Sequence, residues 1–201
     1  MSPRYATPAL VAAVAILAAC GGDDVATLSG YQLEPAPDVA SIVLPDASQD
    51  GLDFEMRAED GHLLLVYFGY MSCPDVCPTS LNEVRKALGR LGDDAERVDL
   101  AMVTVDPARD TGENLTLYVQ GFVEGAHALR TDDPEVLDEA AVAFGASYSV
   151  EENDEGEIEV GHSASIYAVD PDGTVVLTWP YGLEADAIAT DLRILLGDLD
   201  T

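Results

Sequence analysis

The chain has 201 residues, nearly half of them hydrophobic, and a formal net charge of −29, enough for one domain with a full core but not for two once a leader is removed. That charge excludes nucleic acid as a partner, because binding it depends on cationic side chains that neutralise phosphate. Lys86 is the single lysine against 38 Asp and Glu, so self-repulsion is strong at low ionic strength and a salt-rich habitat, where each charge reaches less far, is expected.

The chain opens MSPRYATPALVAAVAILAAC, with one basic residue, Arg4, an apolar run from Ala9 to Ala19, and small residues ahead of Cys20. This is the layout of a secretory signal peptide over residues 1–19, and the run is shorter than the ~20 residues a membrane-spanning helix needs. The Leu-Ala-Ala-Cys ending resembles a bacterial lipobox. That resemblance implies a lipidated Cys20 as mature N-terminus and a chain anchored at the cell membrane, facing the periplasm or the cell exterior. Acylation withdraws this sulfur from redox and metal chemistry, so of the three cysteines only Cys73 and Cys77 remain as partners.

From Gly21 to Gly51 the sequence is rich in Gly, Asp and Pro and shows no helical period. Residues 20–40 are read as a flexible tether, and the rest as an extended lead into a domain spanning 41–201. LLLVYF, Leu63–Phe68, is a continuous apolar run suited to a strand buried on both faces. After it, Leu81, Val84, Leu88 and Leu91 recur at helical spacing within Thr79–Leu91.

Val98–Asp106 reads as a second strand, Gly112–Phe122 as a helix, His127–Arg130 as a short strand and Pro134–Phe144 as a helix. The polar stretch Ser149–Gly161 carries no helical period and is expected as a hairpin-like or mobile insertion. Ser165–Trp179 holds two apolar runs joined at Pro171-Asp172-Gly173, which suits a tight hairpin turn, and an amphipathic helix closes the chain over Glu184–Leu196. Alternating strands and helices followed by a hairpin and a last helix predict an α/β fold, a central mixed β-sheet flanked by helices, in an order compatible with a thioredoxin-like domain.

Cys73 and Cys77 sit where the first buried strand gives way to a helix, a place where α/β folds put ligand sites. A disulfide closing so short a loop contributes roughly 2 kcal/mol, against ~3 for fifteen residues; as a staple it is weak. Thioredoxin-type redox pairs have two intervening residues, and zinc sites with similar spacing bring a second ligand pair that this chain lacks. Cys77 precedes Pro78, which suits a first helical turn. The helix N-terminus is therefore expected to lower the pKa of Cys77 below its usual ~8.5.

Three histidines compete to complete the site. His62 and His127 are most simply surface residues near strand starts. His162 lies after the polar insertion and before a strand, and in a thioredoxin-like sheet the loop there faces the dithiol. Two thiolates and an imidazole suit Cu(I), or zinc with a water.

The chain resembles the Sco/SenC family of copper-binding, thioredoxin-like proteins, which help mature the dinuclear copper centre of cytochrome c oxidase. The resemblance is carried by FGYMSCPDVCPTSL from Phe68, VTVDPARDT from Val103 and GHSASIYAVDPDG from Gly161, in that order. It runs from about Ser41 to Leu196. It implies that Cys73, Cys77 and His162 bind copper, as Cu(I) or Cu(II), with the dithiol also able to cycle through a disulfide.

The same resemblance places Asp106 near the metal and gives Pro74, Asp75 and Pro78 the task of shaping the cysteine loop. Gly161 departs from it, standing where relatives often carry an acidic residue. Met71 is read as packing. The implied activity is that of a metallochaperone more than an enzyme, with an apo cytochrome c oxidase subunit and other copper chaperones or thiol reductases as partners. The alternative is a thiol-disulfide reductase that keeps the oxidase's copper-ligand cysteines reduced.

Overall fold

A computed structural model describes residues 27–200. The expected signal peptide and Cys20 lie outside the described residues. Among the described residues no helix is long and apolar enough to cross a membrane.

Nine strands and four α-helices follow one another as β1 (Val43–Asp46), β2 (Leu52–Glu55), β3 (Leu63–Gly69), α1 (Val76–Leu91), β4 (Val98–Thr104), α2 (Gly112–Gln120), β5 (His127–Leu129), α3 (Pro134–Phe144), β6 (Tyr148–Glu152), β7 (Ile158–His162), β8 (Ile166–Val169), β9 (Val175–Trp179) and α4 (Ala185–Leu199). Seven of the strands form one sheet in the order β2-β1-β5-β4-β3-β8-β9, while β6 and β7 pair only with each other. β3, β4 and β5 run parallel, and β8 and β9 are antiparallel additions. The predicted central mixed sheet is the one observed.

β3 shows why a continuous apolar run belongs at the centre. Its alternate residues Leu63, Leu65 and Tyr67 enter the core under α1, α2 and α4. Leu64, Val66 and Phe68 enter the opposite core, which α3 covers with Leu137, Ala140 and Phe144. α3 begins where sequence placed it: Pro134 occupies the first turn and Asp133 accepts from the Glu135 amide at 3.0 Å.

β1 and β2 fall in a stretch read only as an extended lead. β2, at the sheet edge, has two carboxylates in four residues and is mostly exposed, and its neighbour β1 contains Pro45, so both lack an apolar signature. Residues 27–40, expected as tether, lie along β9. Tyr31 exchanges two backbone hydrogen bonds of 2.9 Å with Thr178, and the Val39 amide donates to Gly173 at 2.8 Å. Gly173 has φ +81°, and a Cβ there would come within 2.5 Å of Ala40; no other residue fits this close approach.

Asp191 on α4 is fully buried and ties this segment down. Its carboxylate accepts from the Ser29 and Gly30 amides at 2.9 Å and from Trp179 Nε1 at 2.8 Å. His127, read as a surface residue, is half-buried instead, its Nδ1 2.7 Å from the buried Asp46 carboxylate. His62 lies 3.7 Å from Asp99. Both histidines sit at the N-terminal ends of the parallel strands, while the cysteines follow the C-terminal end of β3.

Candidate metal centre

β3 ends at Gly69, and the chain turns through Tyr70–Asp75 into α1. The turn is tight: the Cys73 amide donates to the Tyr70 carbonyl at 3.3 Å. Asp75 occupies the N-cap position but makes no side-chain cap to the helix amides. The Cys73 sulfur takes that place, accepting from the Cys77 amide at 3.3 Å. A five-residue Cys-x-x-x-Cys thus wraps the first sulfur over the open N–H groups of the helix.

This geometry reverses the expected roles of the two thiols. Burial raises the Cys73 pKa, but the Cys77, Asp75 and Val76 amides outweigh it and leave Cys73 below the ordinary thiol value. Cys77 lies one turn deeper with no exposed surface, and burial pushes it up to about 12 despite the opposing Tyr70 amide. The helix N-terminus serves Cys73, whereas Cys77 was expected to be the activated sulfur. In reduced, metal-free protein, iodoacetamide is expected to label Cys73 first, with a rate that climbs below the pH range of a free thiol, and to spare Cys77 until unfolding. Peptide mapping after partial alkylation checks this; equal labelling of both sulfurs contradicts it.

Cys77 is deep because Gly69 lets it be. A Cβ on Gly69 would lie 3.1 Å from Cys77 Sγ, 2.7 Å from the Tyr67 ring and 3.2 Å from Met102. Only a residue without a side chain leaves space for the sulfur at this strand end.

His162 ends β7 and reaches back to the dithiol, with Nε2 3.4 Å from Cys77 Sγ. Its Nδ1–H donates to the Ser163 carbonyl at 3.1 Å, which leaves Nε2 as the acceptor of the Cys77 S–H. Burial lowers the His162 pKa against the pull of the Ser163 and Phe68 carbonyls, so the ring stays neutral and its lone pair available. The edges of two tyrosines fix the ring: Tyr67 and Tyr70 meet it at interplanar angles of 88° and 87°.

One ligand atom from each of Cys73, Cys77 and His162 lies within 4.8 Å of the others, and among the described residues no other group of His, Cys, Asp or Glu is so arranged. Thiolate and imidazole donors sharing one ion at ~2.0–2.3 Å can be at most ~4.6 Å apart. A small side-chain adjustment brings all three onto a single ion. Two thiolates and a neutral imidazole favour soft or borderline ions.

A sequence model of the SCO1/SenC family matches residues 47–197. The chain belongs to the SCO1/SenC family. An SCO2-like protein of Rickettsia prowazekii is 34% identical over 128 residues, 62% of this chain and 62% of the relative's own length. Among solved structures, the apo Sco1 protein of Thermus thermophilus is 31% identical with a TM-score of 0.73, covering 84% of this chain and 97% of that one. ScoI of Bradyrhizobium japonicum, solved with copper bound, is 30% identical with a TM-score of 0.65, covering 76% and 96%. The fold is the thioredoxin-like one of these Sco structures.

Within this SCO1/SenC domain Asp106 is not brought into the three-residue cluster. Its buried carboxylate is held by Arg109, and its amide donates to Thr104 Oγ1 at 3.1 Å. Four residues after it stands Asp110, which sequence reading overlooked. Its Oδ2 accepts from the Met71 amide at 3.0 Å and from Thr104 Oγ1 at 2.6 Å, tying the cysteine loop to the end of β4. Burial, the largest influence, raises the Asp110 pKa.

Met71 itself packs against the core, as expected. Gly161 pairs with Ser149 across the β6–β7 hairpin, and a Cβ there would sit 3.0 Å from Ser149 Oγ. A side chain at this position would need only a small shift of the exposed Ser149 hydroxyl.

Proposed function

We propose that this chain is a membrane-tethered copper-binding protein that holds one copper ion on Cys73, Cys77 and His162 and delivers it to an apo subunit of cytochrome c oxidase, for assembly of the dinuclear copper centre. The observation that carries this reading is the meeting of two sulfurs and one imidazole nitrogen within 4.8 Å of each other. Cys73, the sulfur whose pKa is lowered and that keeps some exposure, receives the ion first. Cys77 would release its S–H proton to solvent as it joins, freeing the His162 Nε2 lone pair, which accepts that proton in the metal-free site, for the ion. Because Cys73 keeps some exposure at the protein surface, an incoming thiolate of the recipient can displace one donor at a time.

The tether is the lipid implied for Cys20 by its Leu-Ala-Ala-Cys context, which places the domain outside the cytoplasm, at the membrane face where the oxidase is assembled. Asp106 is no ligand in this scheme; its carboxylate pairs with Arg109. A second reading, the thiol-disulfide reductase acting on oxidase cysteines, is favoured by the asymmetry of the dithiol: one sulfur is lowered in pKa and partly accessible, while the other is raised and buried, which suits an attacking and a resolving thiol.

Anaerobic titration of the reduced protein with Cu(I) against a competing chelator separates the two. One tightly held ion per chain is the expected result. Negligible affinity, with ready disulfide exchange toward a dithiol peptide, would leave the reductase.

A further inference from the structure

The β6–β7 hairpin carries His162 at its end yet joins no other strand, since β6 and β7 pair only with each other while the remaining seven strands make the main sheet. A two-stranded ribbon of this kind is marginal in water without help. Space lies beside it: a cavity of about 210 Å³ opens between Val150 on the hairpin and Val105, Pro107 and Leu137 on the body of the domain. The hairpin is held at its base instead.

Tyr148 stands directly opposite His162 in the β6–β7 register, so both side chains leave the same face of the ribbon. From there they reach different helices. His162 Nε2 lies 3.4 Å from Cys77 Sγ on α1, and Tyr148 Oη donates to Asp138 Oδ1 on α3 at 2.5 Å. Next to this pair the Ser163 amide donates to the Ser147 carbonyl at 2.8 Å and the Ser147 amide to Ser163 Oγ at 3.1 Å. The two strands are thereby fastened together at the base, and a shift of Tyr148 carries His162 with it. β6 leaves α3 after only Gly145, Ala146 and Ser147, with Gly145 at φ +67°. The Tyr148 ring packs against the core that α3 covers, as a phenylalanine would. Its hydroxyl adds the bond to Asp138, which fixes the angle between α3 and the hairpin.

We propose that Tyr148 is a positioning residue for His162: its hydrogen bond to Asp138 latches the hairpin to α3 and so holds the imidazole at the dithiol. The inference rests on the copper reading above. A hydrogen bond to a carboxylate belongs to the stronger kind. Without it the hairpin swings more often about the Gly145–Ser147 connection, and each swing withdraws His162 from the ion. Copper is then left on two sulfurs, from which a competitor removes it more readily. In the metal-free protein the same latch raises the fraction of molecules in which His162 already waits beside the cysteines, and apparent affinity follows that fraction.

The test reads copper release. Full-length protein loaded anaerobically with one Cu(I) is mixed with excess chelator, at concentrations where the rate no longer rises with chelator and opening of the site limits it. Tyr148→Phe keeps the ring and removes the oxygen, while Asp138→Ala removes the acceptor from the other side. Each is expected to release Cu(I) about tenfold faster, the worth of one such hydrogen bond. Asp138→Asn keeps an acceptor oxygen and is expected to release more slowly than Asp138→Ala. Melting temperatures stay close to the parental value, because Asp138 is exposed. The deciding comparison is made in a His162→Ala background. There Tyr148→Phe is expected to leave the release rate unchanged, because the latch has no ligand left to position.

Parental release in Tyr148→Phe overturns the proposal and leaves the copper site standing. So does an equal acceleration in the His162→Ala background, which marks a general loosening of the fold, and so does an Asp138→Asn protein as fast as Asp138→Ala. A parent protein that binds no Cu(I) overturns the copper reading, and this inference with it.

Discussion

His162→Ala is expected to lose Cu(I) affinity by more than the 10–100-fold that changes around a metal site usually cost, and Cys77→Ser by at least as much. The imidazole is the one nitrogen donor in the cluster, and its removal leaves two sulfurs to hold the ion alone. Among the described residues no further His, Cys, Asp or Glu joins the cluster, and the two rings that face His162 are those of Tyr67 and Tyr70, whose hydroxyls are poor partners for a soft ion. Cys77→Ser substitutes a hard oxygen for a thiolate at the deepest point of the site.

The pair of variants also separates the two proposed activities. His162 takes no electrons from the dithiol, so a reductase retains disulfide exchange in His162→Ala, whereas a copper donor is disabled. Unchanged stoichiometry and affinity in both variants, with melting temperatures near that of the parent, would refute the three-residue site. A variant that fails to fold is recognised by its melting curve before any copper is added.

The site was legible in sequence because its carriers are short-range patterns: a buried strand running into Cys-x-x-x-Cys, and one histidine placed by topology ahead of β8. The strand and helix order from β3 onward was legible for the same reason, since β3 and β4 are buried on both faces and read as unbroken apolar runs. The charge state of the sulfurs was not. A helix start after Asp75 suggests stabilisation of the cysteine inside the first turn, yet the amides of a helix point outward along its axis, toward the residue that wraps over them. That residue is Cys73.

Asp110 was hidden because its partner, the Met71 amide, is 39 positions away in sequence, and no local pattern announces a carboxylate that binds backbone. Residues 27–40 were misread for a related reason. Their composition is that of a linker, and what fixes them is a row of backbone hydrogen bonds to β9 together with one distant carboxylate.

That carboxylate makes Asp191→Ala the substitution with the largest expected effect on stability. Three N–H groups, from Ser29, Gly30 and Trp179, converge on its two oxygens, and truncation strands them in the core. Unpaired buried donors cost ~1–3 kcal/mol each, but Ser29 and Gly30 can swing out to water, so a net loss of about 3 kcal/mol is expected. For a chain of this size that is a fall of roughly 6–12 °C in melting temperature. Asp191→Asn is expected to fall between, because one amide oxygen can still serve Gly30 and Trp179 while its NH2 opposes the Ser29 amide.

The same change bears on function through the tether. The chain is pinned from Ser29 onward, so with the lipidation proposed for Cys20 only residues 21–28 would separate the anchor from the pinned segment, which would hold the domain near a membrane. Release of residues 27–40 in Asp191→Ala should expose Tyr31 to limited chymotryptic cleavage at temperatures where the domain remains folded, while Cu(I) affinity, which the proposed ligands Cys73, Cys77 and His162 would set, stays at the parental value. An unchanged melting temperature together with an uncut Tyr31 would show that Asp191 does not anchor the segment. Loss of copper affinity in step with cleavage would show instead that the N-terminal segment supports the site itself.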